Sequence, residues 1–199
     1  MTDYFALLDE PRRPWLDPEG LRKKFLTLSA NLHPDRVHSA GEAEKSAAAR
    51  RFAELNAAFN SLQEPKSRLL HLLELNLGAK PKDVQRIPAA LAERFTEVAT
   101  ACRQADAFLA EKNRTTSPLL QVGLFERAQE WIERLKTLQS RLGVFHHQLL
   151  DELRSLDAAW TGVGDPKSLL PRLEELYRLF GYFNRWSSQV QERIMQLSL

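Results

Sequence analysis

Leu32-His33-Pro34-Asp35-Arg36 interrupts two runs of helical periodicity near the start of this 199-residue chain. Before it, Leu21, Phe25, Leu28 and Leu32 recur at steps of four, three and four, the period of one apolar helix face. After it, Ala48, Phe52, Leu55, Phe59 and Leu62 recur the same way. Proline at 34 stops a helix and biases the preceding residue toward extended backbone. The spacing predicts a helical hairpin with His33-Pro34-Asp35 in its loop. Taken alone, the tripeptide reads better as an ordinary turn in which Asp35 caps the helix that follows or its approach; the flanking helices and the opening Asp3 to Leu8 reverse that preference.

Working outward, Asp3 to Leu8 reads as a short first helix, after which Pro11 and Pro14 break the chain and Trp15 packs under the turn. Asp17-Pro18-Glu19 opens the second helix with a capping carboxylate, a proline at the first position and an acid near the positive helix end. That helix runs to about Asn31 and turns Arg22, Lys23 and Lys24 outward. The third covers about Glu42 to Leu62, and a leucine-rich fourth starts at Pro65 and ends near Leu75. Gly78-Ala79-Lys80-Pro81-Lys82 crowds breakers and charge without apolar period and marks a boundary.

Beyond Pro88, three long patterns follow. They run through Leu91, Phe95, Val98, Cys102, Ala105 and Leu109; then Leu124, Ala128, Trp131, Leu135, Leu138, Leu142, Phe145, Leu149 and Leu153; then Leu169, Leu173, Leu176, Phe180, Phe183, Val190, Ile194 and Leu197. Their mean step of about 3.5 residues, with turns at 113–118 and 162–166, predicts an antiparallel three-helix bundle. The longest helix is expected to approach ~55 Å at the usual rise per residue, with Gly143 a weak point within it. The fold class is all-α.

Bulk properties exclude several functions. Basic and acidic residues number 28 and 26, and the first 77 residues hold 11 of each, so neither part has the basic excess of a phosphate-binding surface. Nucleic acid is not an expected partner. The single cysteine, Cys102, rules out an internal disulfide and a Cys-rich zinc site. No apolar run approaches the ~20 residues that span a bilayer, and the amino terminus lacks a secretory layout. No membrane association is expected, and the cytosol is the expected compartment. His33, Asp35 and His38 have no helix-spaced ligand partners and there is no phosphate-cradling Gly-rich loop, so neither catalysis, a metal nor a cofactor is expected. His146 and His147 are adjacent and cannot share a helix face. His71 sits among leucines as a core residue.

The opening Asp3-Tyr4-Phe5-Ala6-Leu7-Leu8, the loop tripeptide and Leu62-Gln63-Glu64-Pro65-Lys66-Ser67-Arg68 resemble a J-domain of the HscB-type co-chaperones. The resemblance implies a J-domain over 1–77, a linker over 78–87 and a three-helix client-binding domain over 88–199. It implies a DnaK/HscA-type ATPase chaperone as partner, contacted by His33, Pro34 and Asp35, by Arg22 and Arg36, and more weakly by Lys23. It also implies an IscU-type iron–sulfur scaffold as client, or other clients served by the same architecture. Leu26, Thr27 and Asn31 stand where the family often has basic residues, so a thinner and more salt-sensitive electrostatic face is expected.

The stretch Ile87 to Glu97 matches the start of the family's client patch, with Leu91 and Phe95 as client-binding candidates. Both also fit the bundle seam, and core packing is the preferred role. Ala92 replaces a usual methionine, and Thr96, Ala99 and Arg103 replace usual acids. Tyr182 and Trp186, four residues apart in a stretch that resembles the family's last helix, form an exposed strip or cover a docked J-domain, the second being preferred.

Overall fold

The structure, a computed structural model, describes residues 2–32, 41–81, 88, 91–162 and 166–199. Helices α1 (Tyr4–Leu7), α2 (Pro18–Leu32), α3 (Glu42–Gln63), α4 (Pro65–Leu77), α5 (Ala92–Arg114), α6 (Pro118–Gly162) and α7 (Leu170–Ser198) follow one another, a 3₁₀ turn at Pro166–Leu169 preceding α7. No strand occurs among the described residues. The chain divides into two compact units: Met1–Lys82 with Leu150–Phe180, and Asp83–Leu149 with Gly181–Leu199. Both α6 and α7 therefore contribute residues to each unit.

In the first unit, the starts of α1, α2 and α4 have a local cause, whereas Gly41 before α3 offers no capping side chain. Asp3 accepts the amides of Phe5 and Ala6 at α1. The Asp17 carboxylate accepts the Gly20 amide at 2.8 Å at α2, and Glu64 accepts the Ser67 amide at 2.6 Å at α4. These bonds satisfy amides that a helix start leaves without partners. Gly78 ends α4 with a φ of 71°, a left-handed conformation that glycine adopts without steric cost. Helix α3 packs against α1, α2 and α4, and the hairpin of α2 and α3 is pinned by Phe25 stacked on Phe59 at 4.1 Å. Leu21, Leu55, Ala58, Leu62, Leu69, Leu72 and Leu73 are at most 2% exposed and form its core.

His71 is a working part of that core. Its Nε2 accepts the Tyr4 amide at 3.0 Å, and its ring lies 4.5 Å from Tyr4 and 5.7 Å from Phe5. Burial lowers its pKa against the opposing pull of Asp3 and Glu74, so the ring is held neutral, as an acceptor must be. A depressed folded pKa means that the unfolded chain takes up the proton first. Stability is therefore complete above pH ~6.5, the unperturbed histidine value, and declines as pH falls from there toward the folded value. Urea midpoints are expected to drop between pH 8 and pH 5.5 in the wild type. The drop should shrink in His71→Gln, which keeps an acceptor without the titration; equal drops would contradict this assignment.

The turn before α2 is fastened to the carboxy-terminal part of α6. Asp157, 3% exposed, receives two hydrogen bonds from Arg13 and the Trp15 amide at 3.0 Å. Trp160 Nε1 donates to the Arg12 carbonyl at 3.1 Å. Arg68, 3% exposed, donates to the carbonyls of Pro14 at 2.7 Å and Leu62 at 2.5 Å. Burial pulls the Arg68 pKa down to about 10 against the charges of Glu64 and Asp157, which leaves it charged at neutral pH. Trp15 lies between the guanidinium groups of Arg68 and Arg154, 5.9 and 4.5 Å from its ring. Backbone polar groups that a proline-broken turn would otherwise bury unpaired are thus satisfied.

The second unit is a three-helix bundle. Glu97 and Glu111 of α5 pair with Arg141 and Arg127 of α6 at 2.6 Å each, so the two helices run antiparallel. On the other side of α6, Gln139 meets Gln191 at 2.6 Å and His146 stacks on Phe183 at 4.3 Å, again antiparallel. Arg193 of α7 reaches Asp106 at 2.7 Å and Lys112 reaches the Leu197 carbonyl at 3.4 Å, so α5 and α7 run parallel. Val98, Cys102, Ala105, Leu135, Leu138, Leu142, Val190 and Leu197 fill the seam, each at most 6% exposed. Burial raises the Cys102 thiol pKa and keeps it protonated.

Two expectations need correction. Ile132, 5% exposed, occupies the seam position assigned to Trp131, because steps of four and three from Ala128 to Leu135 pass through 132; Trp131 is half-buried with Arg134 over its ring at 5.0 Å. Helix α6 has 45 residues, or about 68 Å at the standard rise, because both ends continue beyond the apolar pattern and Gly143 does not interrupt it. Trp186 is 3% exposed and tilts against Tyr182 at 5.7 Å, so the less favoured of the two readings of this pair, an exposed strip, is excluded.

Candidate functional site

Two exposed helix flanks carry the candidate contact residues. The first is on α2. Arg22 and Lys23 are exposed, and neither has an ion-pair partner among the described residues. Lys24 differs: its Nζ donates to the Asp9 carbonyl at 2.5 Å and pairs with Glu10 at 3.0 Å. The outward basic face is therefore Arg22 and Lys23, and Lys24 ties α2 to the turn that follows α1. The same flank continues through Leu26, 56% exposed, and Thr27, whose hydroxyl donates back to the Lys23 carbonyl at 3.0 Å. The described part of this flank thus sets one exposed apolar side chain beside two cations that have no ion-pair partner among the described residues. His33, Pro34, Asp35 and Arg36 lie outside the described residues, as does His38.

The second flank is on α5. Its first turn separates the two client-binding candidates. Leu91 is 3% exposed and its amide donates to the Pro88 carbonyl at 2.9 Å, which makes it a core residue at the helix start. Phe95, one turn on, is 43% exposed although its spacing fits the seam. Ala92, Thr96 and Arg103 are exposed and Ala99 half-exposed on the same flank. An open groove beside them is lined by Ala92, Glu93, Thr96 and Glu97. Opposite, Arg94 covers the Phe145 ring at 4.7 Å, which ties α5 to α6.

Among the described residues, no three His, Cys, Asp or Glu side chains converge as metal ligands, and no helix is long and apolar enough to cross a membrane. The Arg13–Asp157 fastening was outside the reach of sequence reasoning, since its partners lie 144 residues apart.

No protein-family model matches the chain. A search of curated proteins, in contrast, finds a co-chaperone protein HscB homolog of Paraburkholderia phymatum, 30% identical over 154 aligned residues, the match covering 68% of this chain and 87% of that protein. The chain belongs to the HscB co-chaperone family. Solved HscB structures share its fold. Chaperone HscB from Vibrio cholerae superposes with a TM-score of 0.57 at 18% identity, covering 98% of this chain and 99% of that one. Human co-chaperone HscB superposes with a TM-score of 0.62 at 18% identity, covering 96% and 81%. The all-α architecture of HscB, a hairpin-bearing J-domain and a helical bundle, is thus the architecture of this chain.

Proposed function

We propose that this HscB-family protein stimulates ATP hydrolysis by a DnaK/HscA-type chaperone and delivers to it an IscU-type iron–sulfur scaffold protein. Residues 1–77 act as the J-domain, 78–87 as the linker and 88–199 as the client-binding part. The observation that carries the reading is the α2 flank: Arg22 and Lys23 have no ion-pair partner among the described residues, Leu26 is exposed beside them, and the sequence continues from this helix into His33-Pro34-Asp35-Arg36. In such a mechanism the co-chaperone breaks no bond. Arg22 and Lys23 steer the α2 flank onto an acidic chaperone surface, Leu26 supplies apolar area to the contact, and the tripeptide and Arg36 engage the chaperone beside them. Hydrolysis then accelerates in the partner, which closes on the client held by the α5 flank.

Exposed Phe95 supports a client contact on α5, whereas Leu91 supports it from beneath as core. A second reading, the same co-chaperone activity with other clients in protein folding or complex assembly, is favoured by Ala92, Thr96, Ala99 and Arg103 where acids and methionine prevail in the family.

Single-turnover ATP hydrolysis by the cognate chaperone tests the reading. Wild-type protein accelerates it saturably. Arg22→Glu is expected to raise the half-saturating concentration about tenfold at low salt, because reversal at a contact charge replaces attraction with repulsion, and the gap narrows as salt screens the pair. Lys24→Ala leaves that concentration near the wild-type value, since its ammonium already has partners within the chain. Absence of acceleration at any wild-type concentration would end the proposal.

A further inference from the structure

Five residues of one α5 flank, Ala92, Phe95, Thr96, Ala99 and Arg103, follow at steps of three, one, three and four and lie on one side of the helix. Phe95 is 43% exposed at one end, although a seam phenylalanine is ordinarily covered. Arg103 stands at the other end, exposed. Its guanidinium donates only weakly within its own helix, to the Ala99 carbonyl at 3.4 Å and the Thr100 hydroxyl at 3.5 Å, and it meets no carboxylate among the described residues. The acid one turn further on, Asp106, is committed to Arg193 at 2.7 Å. Among the described residues, this flank therefore presents one exposed aromatic ring, small side chains between, and one positive charge that meets no carboxylate, while Glu93 and Glu97 lie beside its other end and Glu97 pairs with Arg141.

We infer that Arg103 sets the partner preference of this flank, and that the protein docking there presents an apolar side chain to Phe95 and a carboxylate to Arg103. Eight residues of helix separate the two anchors by about 12 Å. A client segment can match that span with two side chains eight positions apart on a helix or about four apart on an extended strand. The small residues between Phe95 and Arg103 let a backbone approach closely. A basic segment is disfavoured, because it would meet Arg103 with nothing nearby to neutralise it. The inference rests on the client-delivery reading and adds the sign of charge that the client must carry.

The test is a binding titration of the full chain with the organism's own iron–sulfur scaffold protein. Wild type is expected to bind saturably, with affinity that falls as salt rises. Arg103→Glu should weaken binding about tenfold or more and lose the salt dependence, while Arg103→Lys, which keeps the charge, stays within a few-fold of wild type. Reversing the matching scaffold carboxylate to lysine should restore binding to Arg103→Glu and not to wild type. If Arg103→Glu binds as wild type does while Phe95→Ala loses binding, the flank still holds the client and the charge assignment is overturned. If wild type shows no saturable binding, the scaffold reading fails and this inference falls with it.

Discussion

Asp157→Ala is expected to lower the stability of the unit that carries the hairpin by about 3 kcal/mol. The Asp157 side chain is 5% exposed and is the acceptor for both Arg13 and the Trp15 amide. Removing it leaves that part-buried amide without its acceptor, and an unmade hydrogen bond away from water costs more than the made one contributed. Arg13, 36% exposed at its side chain, recovers hydration when released, which holds the cost to the low end of the range for broken buried pairs. The reciprocal Arg13→Ala should cost only about 1 kcal/mol, since Trp15 keeps its acceptor. The exposed pair Arg154–Asp151, 56% and 72% exposed, is worth less still. Urea unfolding followed by tryptophan fluorescence reads the change locally, because Trp15 and Trp160 both flank the substituted carboxylate. At a slope near 2 kcal/mol/M the Asp157→Ala midpoint falls by about 1.5 M. A midpoint within a few tenths of a molar of the wild-type value would remove Asp157 from its place at the centre of the fastening.

What could be read from the residues and what could not divides along sequence distance. The hairpin was legible because each of its helices shows a complete apolar period, and because the first of them starts at Asp17, three residues from the amide it caps. The three-helix bundle was legible for the same reason: seam spacing is a local property. The grouping of residues 150–180 with the hairpin was not, because it is carried by Asp157 and Trp160 meeting residues 142 to 148 positions away. Charge counting along α2 placed Lys24 with Arg22 and Lys23, whereas Glu10 and the Asp9 carbonyl draw it to the other side. Spacing likewise gave Leu91 and Phe95 one role, and the structure separates them: Leu91 closes the start of α5 and Phe95 faces water. Periodicity tells which residues share a face, but not how far along a helix its neighbours cover that face.

That distinction shapes how the two flanks are read. On α2 the proposed contact face narrows to Arg22, Lys23 and Leu26, two charges and one apolar group, all exposed. Such a face gives recognition a salt-dependent part and a salt-independent part. The tripeptide that follows it is the element on which the co-chaperone reading depends most, and substitution there has the largest functional effect expected.

Asp35→Asn removes one charge and little volume, so helicity and thermal midpoint should match wild type. The decisive measurement is single-turnover ATP hydrolysis by the DnaK/HscA-type partner with saturating wild-type or Asp35→Asn protein. Wild type is expected to accelerate hydrolysis well above the chaperone alone, and Asp35→Asn to return it to that baseline while remaining folded. Full acceleration by the folded Asp35→Asn variant would contradict the assignment of this hairpin as the element that signals to the chaperone.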